Sequence, residues 1–77
     1  MTNRVKVFEM VALVDELPEV GLVRGQVGTI VESLANGTAF EVEFSDDNGQ
    51  VYASLGLTPD QFLVLRHYPL AAQPVAA

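Results

Sequence analysis

Ten carboxylates, one histidine and no cysteine set the chemistry that this chain has to offer. Two acids held close together can divide the work of general acid and general base. Glu41 and Glu43 are the most regularly spaced pair, but they alternate with Phe40, Val42 and Phe44. A period of two is the mark of a strand with one face buried and one wet, so both glutamates read as the wet face. His67 comes after the last expected strand, beside Pro69, and reads as a solvated side chain. The serines and threonines fall in strands and turns with no base at a pairing distance in sequence, so no activated nucleophile emerges. The expectation is a protein that is not an enzyme.

Metal and phosphate sites fare no better. Asp46-Asp47-Asn48-Gly49 has the look of a calcium loop, but the spacing that ends in Gly49 needs an acid at position 44, which is Phe44. The run reads as a tight turn. Gly25 and Gly28 lead into a strand rather than a helix, so they form no phosphate cradle. Without cysteine there is no disulfide framework, no thiolate zinc site and no cysteine nucleophile. No cofactor and no metal are expected.

The elements that would carry these residues are short and β-rich. Residues 8–14 (FEMVALV) form an apolar run, read as a first strand because Pro18 and Gly21 punctuate the segment behind it. Residues 15–24 make one long loop. Val27 to Leu34 is rich in β-branched residues, and Gly25 and Gly28 bracket its start, where a strand glycine marks a bulge or a close backbone approach. Asn36-Gly37 is the preferred pair for a two-residue type I′ hairpin turn, which needs positive φ at both central positions. It leads into the alternating strand 39–44. The turn ending in Asn48-Gly49 leads to a further strand, in which Val51, Ala53, Leu55 and Leu57 point inward and Tyr52, Ser54 and Gly56 outward. Thr58 and Pro59 open a single 3-10 turn, with Thr as N-cap and Pro at the first helical position, before a closing strand at 62–65. Five short strands in this order predict an all-β, SH3-like barrel over residues 1–68 with a flexible tail at 69–77. The rival is an open β-meander that completes its core by dimerising.

Charge locates the surface. Ten acids against four Lys and Arg leave a net charge of −6. Residues 26–65 contain no Lys or Arg and six acids, namely Glu32, Glu41, Glu43, Asp46, Asp47 and Asp60, so the whole deficit lies in the body of the expected fold. Such a field repels phosphate, and nucleic acid is not an expected partner. Glu9, Asp15 and Glu16 interrupt the apolar stretch behind Arg4 and Lys6, so no signal-peptide core forms. No apolar run approaches the ~18 residues of a membrane span. The expected location is cytoplasmic, with no membrane association.

Residues 24–44, RGQVGTIVESLANGTAFEVEF, resemble the KOW motif of ribosomal proteins and elongation factors, a mostly structural pattern within SH3-like barrels. More of the chain, about 55 residues, is similar to a family of small acidic bacterial proteins of unknown function, common in cyanobacteria. The likeness is carried by Asp15, Leu17, Pro18, Glu19, Gly21, Leu22, Arg24, Gly25, Val27, Gly28 and Thr29, then by AFEVEFSDDNGQ and the Leu-rich end. That resemblance implies a two-protein module, because genes of the family often lie beside one for another small protein.

Recognition of Pro-rich peptides needs an aromatic-lined groove. The chain has no Trp, Tyr52 faces outward by parity, and Tyr68 lies near the tail. What remains is a protein-binding module with an acidic face made of Asp15, Glu16, Glu19, Glu41, Glu43, Asp46 and Asp47. The family resemblance implies that it acts as antidote or accessory subunit to another protein, encoded by an adjacent gene. A core this small without a disulfide leaves a monomer little margin, which also points to a partner chain. The alternatives are a homo-oligomeric scaffold whose edge strands pair between copies, and a degenerate KOW-type nucleic-acid binder using Arg4, Lys6 and Arg24.

Overall fold

The computed structural model describes residues 5–66, so the readings of Arg4, His67, Tyr68 and the tail 69–77 lie outside the described residues. Five antiparallel strands form one sheet: β1 (Met10–Leu13), β2 (Val27–Leu34), β3 (Ala39–Ser45), β4 (Val51–Leu57) and β5 (Phe62–Val64), in the spatial order β4-β3-β2-β1-β5. Pro18–Val20, Ala35–Gly37 and Pro59–Gln61 are single 3-10 turns, the last of them directly before β5. The class is all-β, as the sequence predicts. The sheet stays open, however: β4 and β5 are its two edges, and no ladder joins them into a closed barrel.

The open sheet is nonetheless strongly curled. Laid flat, its edge strands would stand about 19 Å apart, four spacings of ~4.8 Å. The link from Leu57 to Phe62 spans at most about 17 Å when fully extended, and three of its residues are wound into a 3-10 turn. Gln61 holds that turn tight, its side-chain oxygen accepting the Thr58 N–H at 2.9 Å. The concave side therefore folds over itself. It buries Val11, Leu13, Leu22, Ile30, Phe40, Val42, Phe44, Leu57 and Phe62, with no polar or charged side chain among them.

β1 is shorter than expected. Phe8 takes a φ of 75°, and the Glu9 N–H closes a turn on the Lys6 carbonyl at 3.2 Å, so the extended run begins only at Met10. The β2–β3 hairpin contains the expected type I′ geometry, with positive φ at Asn36 and Gly37 and the Thr38 N–H donating to the Ala35 carbonyl at 3.1 Å. The connection is nevertheless four residues rather than two: the ladder ends at Leu34 and Ala39, and Ala35 is itself left-handed at φ 50°.

Two bulges reset the side-chain parity. Ile30 pairs with Val42 but Glu32 pairs with Glu41, leaving Val31 as the extra residue in β2. Phe44 pairs with Ala53 and Ser45 with Val51, leaving Tyr52 extra in β4. Val51, expected inward, is consequently exposed. Gly28 has no room for a side chain: a Cβ there would stand 2.7 Å from Val42 Cγ1 and 2.9 Å from the Glu43 carbonyl oxygen.

Candidate protein interface

The outer face of β2, β3 and β4 gathers the glutamates. β3 points Phe40, Val42 and Phe44 into the core, so Glu41 and Glu43 must face outward. Glu43 lies between Thr29 of β2 and Ser54 of β4, and Glu41 lies between Glu32 and Gly56. Glu32 thus joins the face directly opposite Glu41. Unbroken alternation from Gly28 and Ile30 would turn it inward; the Val31 bulge turns it out. No residue-type signal announces that bulge, which is why the sequence does not single out Glu32 as a site residue.

One hydrogen bond orients the Glu41 side chain. Ser54 Oγ donates to its Oε2 at 2.7 Å, and its Oε1 lies 4.0 Å from where a Cβ of Gly56 would stand. Its carboxylate therefore leans over β4 rather than over β2. Among the described residues the only ion pair is Arg66 with Glu9 at 4.0 Å, so no cation among them neutralises Glu32, Glu41 or Glu43.

The remaining candidate acids sit elsewhere. The end of β1, the start of β2, the end of β3 and the start of β4 share one end of the sheet, which carries both the long loop and the turn 46–50. Asp15, Glu16 and Glu19 are exposed on that loop, and the loop is anchored: Leu17 and Leu22 exchange backbone hydrogen bonds of 2.9 and 3.1 Å, and the Leu22 side chain is buried in the core. Asp46 serves its own turn, Oδ1 accepting the N–H groups of Asn48 at 2.9 Å and Gln50 at 3.0 Å, with Gly49 at positive φ. Asp47 is exposed beside it. The seven candidate acids thus fall into two groups, one on the sheet face and one at the sheet end.

Gln26 and Tyr52 tie that end together, a link the sequence does not suggest. Gln26 Nε2 donates to the Tyr52 hydroxyl at 2.8 Å, while Gln26 Oε1 accepts the Val23 N–H at 2.6 Å. Gly25, at φ 92°, provides the left-handed residue of the turn they brace. Tyr52 is 49% exposed, and as the extra residue of its bulge it lays its ring beside that of the buried Phe44, with the centroids 6.5 Å apart.

Among the described residues no three His, Asp or Glu side chains come together closely enough to hold a metal ion. Nor is any helix among them long and apolar enough to cross a membrane.

A small open antiparallel sheet with a solvent-facing acidic side defines the class. The chain belongs to the family described as the domain of unknown function DUF4926, whose model matches residues 7–64. No curated protein and no solved structure matches it.

Proposed function

We propose that this chain is a non-enzymatic, cytoplasmic protein-binding module of SH3-like architecture, whose acidic sheet face docks a basic surface of another protein. The observation that carries this reading is the trio Glu32, Glu41 and Glu43, held on one face of a stretch, residues 26–65, that contains no Lys or Arg. Like charges directly opposite each other destabilise a sheet, and a cationic partner would relieve that cost. The SH3-like assignment draws support from the element order: a long loop after β1, two tight hairpins, then a 3-10 turn before the last strand. The resemblance to small acidic bacterial proteins suggests that the partner is encoded next to this chain, which would then be its antidote or accessory subunit. The test is co-expression of the two, then size exclusion. Co-elution at low salt that is lost at high salt is expected; separate elution at low salt overturns the reading.

A second reading rests on the opposite half of the outer face. Leu63, Ala12 and Val27 form one cross-strand row beside Met10, and Leu63, Val27 and Met10 are 60%, 40% and 42% exposed. That apolar row favours a homo-oligomeric scaffold. Light scattering decides: a concentration-independent monomer removes it. The KOW-type alternative draws no such support, since the field of residues 26–65 repels phosphate.

A further inference from the structure

β4 is an unguarded edge. Sheet edges are normally blunted by charged residues, proline, bulges or extreme shortness. β5, the other edge, has only three residues. β4 has seven, VYASLGL, none charged and none proline, and its one bulge is confined to Tyr52 at its start. From Ala53 to Leu57 it is regular, paired with β3 on one side and with no strand on the other among the described residues. That side presents a row of backbone groups to which an extended chain can add.

Resting on the acidic-face reading, we infer that the β4 edge accepts an extended segment of the partner as a sixth strand, with Arg or Lys at its outward-facing alternate positions. The outward residues of β4 are Ser54 and Gly56, a small side chain and none, and the space over Gly56 is shared by Leu34 Cδ1 and the Glu41 carboxylate, 3.5 and 4.0 Å from where a Cβ would stand. The carboxylate of Glu41 already leans across them, held by Ser54 Oγ at 2.7 Å and lying over Gly56. It is thus poised about one strand spacing, ~4.8 Å, from a chain laid along the edge. Glu43, directly opposite Ser54, comes next along the same face. The backbone of β4 would supply affinity, and the two glutamates would select basic residues at every second position. A second copy of this chain is the poorer occupant: β4 against β4 would bring Glu41 of both copies to the same joint, and like charges there are repulsive.

The probe is a strand-length peptide alternating arginine and valine, compared with the same peptide N-methylated at every backbone amide. Methylation keeps the side chains and their charge but removes the N–H donors of both edges. Binding to the full chain is monitored by amide chemical shifts. The expected result is saturable binding of the unmethylated peptide alone, with shifts concentrated in residues 53–57. Glu41→Gln, on a surface side chain, should weaken that binding roughly fivefold. Equal binding of both peptides overturns strand addition yet leaves the acidic face as a charge-driven surface. Binding of neither at low salt overturns the strand-addition proposal and the acidic-face reading together. Shifts in residues 53–57 that grow with protein concentration without peptide assign the edge to a second copy and overturn the proposal.

Discussion

The ring of Phe62 meets the ring of Phe40 edge-to-face, centroids 6.1 Å apart and planes at 80°, although β2 and β1 stand between their strands. In a flat sheet three strand spacings would hold them about 14 Å apart. The contact is the seam along which the curled sheet closes on itself. A double-mutant cycle with Phe40→Leu and Phe62→Leu should return a coupling of about 0.5–1.5 kcal/mol by urea denaturation. Additive effects would mean that the two halves of the sheet do not meet at this seam.

Gly28 permits the curl at the β2–β3 crossing. Its added Cβ would press on Val42 Cγ1 and on the Glu43 backbone oxygen, and backbone cannot step aside as a flexible side chain can. Gly28→Ala should therefore cost about 1–3 kcal/mol, in the range of overpacked cores. Gly56→Ala is the control, because its Cβ would find only ordinary contacts, the nearest at 3.5 Å from Leu34 Cδ1. Thermal melts should show the first variant clearly destabilised and the second close to the parent.

Phe44 is fully buried at the centre of the core. Phe44→Ala should cost about 3–5 kcal/mol, enough to unfold much of a domain this small. Glu43→Lys, adjacent in sequence but on the opposite face of the strand, should stay within ~0.5 kcal/mol. Circular dichroism on both variants checks the pair, and a silent Phe44→Ala would reverse the assigned faces of β3.

The contrast between those neighbours also shows how far residue order alone can reach. β3 is legible because both of its faces are decided locally: every second residue is aromatic or aliphatic, and the rest are charged or small. The Asn36-Gly37 and Asn48-Gly49 turns are legible because few residues accept positive φ. The bulges at Val31 and Tyr52 are not, since β-branched and aromatic residues suit a regular strand equally well. Missing those bulges misplaces Val51 by one face and leaves Glu32 out of the acidic face. The Gln26–Tyr52 bond joins residues far apart in the chain and has no local signature. Strand number and order are set by turn spacing, whereas whether the edges pair depends on how far the sheet curls.

Glu32 and Glu41 oppose each other with no cation of the described residues beside them. Replacing Glu32 by Thr removes the repulsion and puts a good strand former in its place, so stability should rise by about 0.2–1 kcal/mol. The gain should shrink in high salt, where the repulsion between exposed Glu32 and half-buried Glu41 is partly screened. Denaturation at two salt concentrations measures this, and a gain that does not depend on salt would trace to strand propensity alone. If the face is an interface, the same variant should bind the partner more weakly while being the more stable protein.

Ala35 is poorly suited to its backbone. At φ 50° it precedes Asn36 and Gly37, which are also left-handed, and unlike asparagine it has no polar side chain to compensate locally. The left-handed conformation costs an L-residue about 1–2 kcal/mol, while introducing glycine loosens the unfolded chain by about 0.4–1 kcal/mol. The difference leaves Ala35→Gly more stable by roughly 0.5–1 kcal/mol. Its urea midpoint should rise with the slope unchanged, since the surface buried on folding stays the same. A lowered midpoint would place Ala35 in ordinary right-handed or extended backbone and restore the two-residue hairpin in its simplest form.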